Sequence, residues 1–452
     1  MNRINRRRFV KAFGVGGLAY AIGRTPGIAW AQTSSISGGF TDYKALVCLF
    51  LFGGNDSWNT VVPREQAAYD TYALARQTLA VPKDLLLSID DAEQGAYGFH
   101  PAMGGLRDLF QNDKKCAIVA NIGPLIAPVT KGEYNPRLAG VPPQLFSHND
   151  QQDQWNTLRG RSSLNTGWAG RVADILAGQG NGSLPLNISL AGNTRLHAAE
   201  NEIPYVIGPA GSVNFENYHG TIARERVRGN AFQSLADADY DSIYARSFAD
   251  VQQRALAYTD VVNSALASTP PISTPFPTNS NLATQLKTVA RLIAARGSLG
   301  ASRQIFFVSA GGFDTHNFQL ETQPLLLADV SSSLSAFYKA TQELGVSDNV
   351  TTFTQSDFGR TLTSNGDGTD HAWGGVQFVV GGTVRGGSIY GTYPELQLGG
   401  PLDIGGGRFI PTVSSDQYTA TLLRWFGLQE DKMDLIAPSL SNFIKQDLGF
   451  FV

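Results

Sequence analysis

Apolar residues along this chain fall into two recurring patterns. The first is a short unbroken run closed by glycine or a polar turn. Ala45 to Phe52 is such a run and stops at Gly53-Gly54. Cys116 to Ala120, Ile305 to Ser309, Thr351 to Thr354 and Val376 to Val380 repeat it, and each ends near glycine, asparagine or Ser356-Asp357. Runs this short, without polar alternation, predict central strands covered on both faces, as in a parallel sheet. The second pattern is helical. Leu282, Leu286, Val289 and Ile293 recur at helical spacing after Asn279-Ser280, and similar stretches span about Ala236 to Leu266, Gln323 to Leu344 and Ser415 to Phe426. Strands alternating with helices predict an α/β fold with a doubly wound, mostly parallel central sheet flanked by helices. The Pro-rich stretch Ser268 to Pro277 reads as a loop within the domain, and residues 203–300 as a helical and loop insertion.

The first thirty-one residues break from both patterns. Arg6-Arg7-Arg8 precedes a weakly apolar, Gly-rich run from Ala12 to Ile22, and Ala29-Trp30-Ala31 offers small residues for cleavage. This is the layout of a twin-arginine signal peptide, with an uncleaved N-terminal anchor as the alternative. It predicts a periplasmic or secreted protein, residues 32–452 forming one α/β domain, with the twin-arginine export machinery as a partner. No later segment reaches the ~18 uninterrupted apolar residues of a membrane helix, so stable membrane insertion of the mature chain is not expected.

Charge sharpens this division. The net charge of −3 combines 35 Lys and Arg with 38 Asp and Glu, and six of the basic residues lie in residues 1–31, which hold no acidic ones. The rest of the chain is therefore near −9, which argues against a nucleic-acid partner. Two cysteines argue against a disulfide framework or a Cys-rich zinc site. Cys48 and Cys116 lie in strand-like runs and read as small buried hydrophobes, with one disulfide as the alternative.

Candidate chemistry collects where the strands end, the place where open α/β sheets bind ligands. Asp56 follows the first run, Asp314 and His316 follow Ile305 to Ser309, Asp357 follows Thr351 to Thr354, and Asp370-His371 comes shortly after. Carboxylates and neutral imidazoles are ligands for a divalent ion such as zinc, manganese, magnesium or calcium. Taken singly, Asp56 could close an Asx-turn, Asp357 could cap a turn, and Arg360 could simply pair with it. Ser147, three residues before Asp150, suits a capping box opening a helix. The same place favours an alkoxide and a bound anion, so Ser147 is also a candidate nucleophile. His148 is a candidate leaving-group acid, metal-shell residue or packing residue. His100, His197 and His219 stand isolated and read as structural.

These segments together resemble a family of uncharacterised bacterial proteins with twin-arginine signals, related to sulfatases and the alkaline phosphatase superfamily. The matching residues are Gly53 to Pro63, Phe146 to Gln152, Gly167 to Arg171, Phe313 to His316, Ser356 to Thr361 and Asp370 to Gly375. The resemblance implies a sheet with a one- or two-metal site at its C-terminal edge and hydrolysis of a phosphate or sulfate ester, small or polymeric. It implies Ser147 as nucleophile, Asp56 as the first-strand ligand, Asp314, His316 and His371 as ligands of one ion and Asp357 as a ligand of the other. Arg360 would hold a non-bridging oxygen. Two positions depart from the superfamily pattern: Phe358 stands where phosphatases have a His, and Asp314 and His316 lie two apart rather than four. No Cys stands at position 147, which excludes formylglycine chemistry. The alternative is a non-catalytic envelope protein that keeps the fold and binds a polyanion, glycan or protein partner.

Overall fold

All five apolar runs become strands of one sheet. The computed structural model describes residues 39–134, 140–159, 165–179, 181–182, 184–211 and 222–452; the expected signal peptide and His219 lie outside these. Along the chain the strands are β1 (Lys44–Leu51), β2 (Val61–Pro63), β3 (Leu87–Asp91), β4 (Gly95–Phe99), β5 (Cys116–Gly123), β6 (Asn187–Ser189), β7 (Tyr205–Val206), β8 (Arg303–Ala310), β9 (Val350–Ser356), β10 (Gly375–Gly381), β11 (Ile389–Tyr390) and β12 (Val413–Ser414). The main helices are α1 (Ser57–Thr60), α2 (Gln66–Arg76), α3 (Gly104–Gln111), α4 (His148–Thr157), α5 (Trp168–Ile175), α6 (Ala223–Ala236), α7 (Ile243–Ala267), α8 (Asn281–Ala294), α9 (Gln319–Glu343) and α10 (Ser415–Phe426).

The main sheet has the order β11-β5-β10-β9-β1-β8-β6-β7, with β12 also pairing β5. β1 lies between β8 and β9 and is parallel to both. β1 alternates strictly between two cores. Ala45, Val47, Leu49 and Leu51 face one apolar cluster, shared with Leu286 and Ile293 of α8 and Leu334 and Phe337 of α9. Leu46, Cys48 and Phe50 face the other, shared with Trp155 of α4, Trp168 of α5 and Leu422 and Phe426 of α10. Helices on both faces explain why β1 carries no polar alternation. Cys48 and Cys116 are buried free thiols on opposite faces of the sheet.

Three features differ from the sequence expectation. β10 runs antiparallel to both β9 and β5. Residues 357–374, which join β9 to β10, contain no helix. Without a crossover helix the chain returns along the same edge, and the next strand is antiparallel. The helical stretch read as Ala236 to Leu266 is broken in two. Ser242 caps the start of α7 by accepting from the Ala245 N–H, and the Asp-rich segment 237–241 separates it from α6. A small antiparallel sheet, β2-β4-β3, was not evident from the apolar runs. No helix among the described residues is long and apolar enough to cross a membrane.

The reversal of β10 positions the site. The C-terminal ends of β1, β8 and β9 and the N-terminal end of β10 meet at one sheet edge, bringing residues 52–56, 311–316, 357–360 and 370–374 together. β5 ends at the same edge, and the chain then reaches α4.

α10 forms where Ser414 and Gln417 make a reciprocal capping box. Asp416, in its first turn, is fully buried and accepts the Ser439 N–H at 3.0 Å. Burial pushes its carboxyl up to about 7, against the pull of the Ser439 and Ser414 hydrogen bonds and Arg171. A carboxyl raised in the folded state contributes stability below its ordinary pKa of about 4 that is lost as pH rises through about 7. Asp416→Asn keeps the acceptor and removes the titration. We expect thermal unfolding of this variant to lose much of the parent's decline between pH 4 and pH 8, an effect of a few kcal/mol at ~1.4 kcal/mol per pH unit.

Candidate metal centre

Two consecutive tight turns shape the loop after β8. The Thr315 N–H bonds the Phe313 carbonyl at 2.9 Å, and the His316 N–H bonds the Asp314 carbonyl at 3.0 Å. These i to i+2 bonds curl the chain and bring Asp314 and His316 onto one side, with Oδ1 and Nε2 3.2 Å apart. A two-residue spacing can therefore place a carboxylate and an imidazole together. Gly53 lets the loop after β1 pass close by. Its φ is +116°, and a Cβ there would sit 2.3 Å from the Asp314 nitrogen.

His371, just before β10, completes the contact. Its Nδ1–H donates to the Phe146 carbonyl at 2.8 Å, which leaves the Nε2 lone pair facing out. That Nε2 lies 2.8 Å from His316 Nε2 and 3.3 Å from Asp314 Oδ1. The Nδ1 of His316 faces Asp370 Oδ1 at 3.3 Å. Burial lowers the His371 pKa, helped by His148 and Arg360 and opposed by the Phe146 carbonyl and Asp314.

His148, the first residue of α4, enters from another direction. Its Nδ1 meets Asp357 Oδ2 at 2.6 Å, and its Nε2 lies 3.5 Å from Asp314 Oδ2. One ligand atom each from His148, Asp314 and His371 lie within 4.8 Å of one another. The Asp314 carboxyl is held low. Burial opposes its ionisation, but the Arg360 guanidinium, His316 and His148 outweigh it.

The donor set fits a divalent ion. Imidazole Nε2 atoms and a carboxylate suit zinc, manganese or a related ion. With Nδ1 of His371 committed to a carbonyl and Nδ1 of His316 to a carboxylate, lone pairs of both rings and of Asp314 converge at 2.8 to 3.3 Å. Such an arrangement repels itself unless a cation lies among them, either an ion or a proton on one ring. Asp357 is fully buried, and among the described residues its Oδ1 meets no hydrogen-bond partner, which also suits a nearby cation.

Several residues sit differently from the sequence reading. Asp56, expected as a ligand, is fully buried in an ion pair with Arg76 of α2. Its two oxygens also accept from the Trp58 N–H and from Gln319. Arg76, Gln319 and Gln323 went unnoticed in the sequence because they lie far away in it. α9 starts a turn earlier than its periodicity suggests, and that turn carries Gln319. Arg360, expected to bind a substrate oxygen, donates to the carbonyls of Gly54 (3.1 Å), Thr369 (3.0 Å) and Phe313 (3.2 Å) and to Asp314 (2.5 Å). It organises the site from beneath. Asp357 orients His148, with Gln152 donating to the same oxygen at 2.8 Å. The Ser147 hydroxyl donates to Asp150 at 2.6 Å rather than accepting a backbone N–H. Phe358 stacks against His148 and His371, with ring centroids 4.9 and 4.5 Å away.

Phe146 is held with φ +72°, unusual for a bulky side chain. Its N–H bonds Gln151 Oε1 at 2.6 Å, and its carbonyl holds His371. Beside it opens a cleft of about 460 Å³ lined by Tyr134, Phe146, His316, Asp370, His371, Ile404 and Arg408.

The chain belongs to the family described as Protein of unknown function (DUF1501), which matches residues 43–401. Among curated proteins none matches it. Several solved structures are similar at low identity. Ps i-CgsB in complex with k-i-k-neocarrahexaose matches at 11% identity with a TM-score of 0.36, over 90% of this chain and 77% of that one. The PsFucS1 sulfatase from Pseudoalteromonas sp. matches at 10% identity and TM-score 0.37, over 91% and 73%. The phosphonate monoester hydrolase SpPMH from Silicibacter pomeroyi matches at 9% and 0.34, over 86% and 74%.

Removing Asp56 should act on folding rather than on ion binding. Asp56→Ala strands Arg76 as an unpaired buried charge, which costs about 3–5 kcal/mol. Chemical denaturation should show that loss, while the ion bound per folded chain stays at the parent level.

Proposed function

We propose that this protein is an exported, metal-dependent hydrolase of a phosphate or sulfate ester. The observation that carries the reading is the convergence of His148, Asp314 and His371, drawn from three separate segments, with His316 beside them. His148, Asp314, His371 and His316 would hold one divalent ion. When bound, such an ion polarises ester oxygens and stabilises charge that develops in the transition state.

The chain's own residues supply the rest. Ser147 precedes His148 at the start of α4, a ten-residue helix whose first N–H groups favour an anion. The Ser147 hydroxyl donates to Asp150 at 2.6 Å; as its oxygen bonds to the phosphorus or sulfur, Asp150 would take the proton, the ester's alcohol oxygen would leave, and water would then free the group from Ser147. Asp357 and the Phe146 carbonyl fix the two imidazoles, so that their Nε2 atoms face Asp314. The basic start and apolar run of residues 1–31 support export. A second reading, a non-catalytic envelope protein that binds a polyanion, glycan or partner, is favoured by Phe358, which puts a ring where a further nitrogen ligand would stand.

Elemental analysis of the full chain, followed by an aryl phosphate and aryl sulfate panel, tests the proposal. We expect a divalent ion and turnover of at least one ester. Asp314→Ala and His371→Ala should lose the ion and lower turnover by more than about 100-fold, beyond what loss of an outer partner causes. Ser147→Ala should keep the ion and lose turnover. A chain that holds no ion and is inert toward both esters would leave the binding reading.

A further inference from the structure

Arg360 is fully buried, and four of its five N–H groups are engaged by Gly54, Thr369, Phe313 and Asp314, which turns it away from a substrate. A second guanidinium lies in the cleft beside His316 and His371. Arg408 is gripped on two sides. Its Nε donates to the His371 carbonyl at 3.0 Å and its Nη1 to the Gly405 carbonyl at 3.1 Å. Its plane sits 5.5 Å from the Phe146 ring centre, so the aromatic face supports the cation. Among the described residues no carboxylate forms an ion pair with Arg408, and its Nη2 donates no hydrogen bond. Asp370 is near enough for Arg408 to help lower its carboxyl pKa, behind the larger pulls of Asn365 and His316 and against burial.

We infer that Arg408 is the oxyanion-binding residue of this cleft, receiving a tetrahedral phosphate or sulfate group through its unspent Nη2 donors. The inference rests on the hydrolase reading for its substrate, but not for its chemistry. Three facts carry it. Two backbone bonds fix the guanidinium in place, so little side-chain entropy is lost on binding. Among the described residues no carboxylate forms an ion pair with it, in a chain that is near −9 beyond residue 31. It also shares the cleft with both outward-facing imidazoles. With Nε and Nη1 engaged, the two N–H groups on Nη2 are left to donate to an oxygen of the anion, and the charge strengthens those bonds.

The test is calorimetric binding of inorganic phosphate, and separately of inorganic sulfate, to the ion-loaded full chain and to Arg408→Gln. We expect the variant to weaken the preferred anion about 10- to 100-fold, the range for a lost charged hydrogen bond. Arg408→Lys should restore part of the binding. On any ester the parent hydrolyses, KM should rise by more than kcat falls. The ion content should stay at the parent level, which separates anion binding from mere support of His371 through its carbonyl. Unchanged anion affinity in Arg408→Gln overturns the inference, as does ion loss in step with anion loss, or a parent chain that binds neither anion. Anion binding that depends on Arg408 in a chain that hydrolyses nothing supports the inference while the hydrolase reading fails. Turnover that is indifferent to Arg408→Gln does the reverse.

Discussion

The candidate centre depends on one buried guanidinium. Arg360 is fully buried, and burial lowers its pKa against the raising effect of Asp314. A cation there is tolerable only because its donors are met by three carbonyls and a carboxylate. Those partners lie on three different segments, after β1, after β8 and before β10. The side chain thus ties three strand ends into one piece. It also holds Asp314 so that Oδ1 meets His316 and His371 as well as Arg360, while Oδ2 faces His148. The Trp58 indole completes the brace by donating to the Arg360 carbonyl at 2.7 Å.

The strands were legible because β1, β5, β8, β9 and β10 are covered on both faces, and such strands announce themselves as unbroken apolar runs. Their direction was not legible. Nothing local in Val376 to Val380 distinguishes an antiparallel strand; the missing crossover helix in residues 357–374 does. In the site, Asp314, His316 and His371 were readable as metal-type side chains near strand ends. Asp56 was read with them as a ligand and Arg360 as a contact to a substrate oxygen, whereas Asp56 pairs with Arg76 and Arg360 donates to carbonyls and Asp314. Whether a charge faces a substrate or a buried partner is decided by residues far away in sequence, here Arg76, Gln319 and the carbonyls of Gly54 and Phe313. The same holds for Arg408, which no motif marks and which acquires meaning only beside Phe146 and His371.

Phe146 shows how backbone conformation and side-chain chemistry are joined. A left-handed conformation at a bulky residue costs of order 1–3 kcal/mol. Both of its peptide groups are bound, one by Gln151 and one by His371. The bend sets Ser147 at the start of α4 and aims a carbonyl at the imidazole. Helix start and histidine tautomer are therefore set by the same residue.

The antiparallel course of β10 has a further consequence. Because β9 leaves and β10 enters at one edge, the segment between them need not cross the sheet. Closing a longer loop adds only about 0.6 kcal/mol per doubling of length. Insertions at the exposed tip, residues 365–367, would thus leave the strand order and the Arg360 bond to Thr369 intact while reshaping the chain beside His316, so length can change there without rebuilding the scaffold.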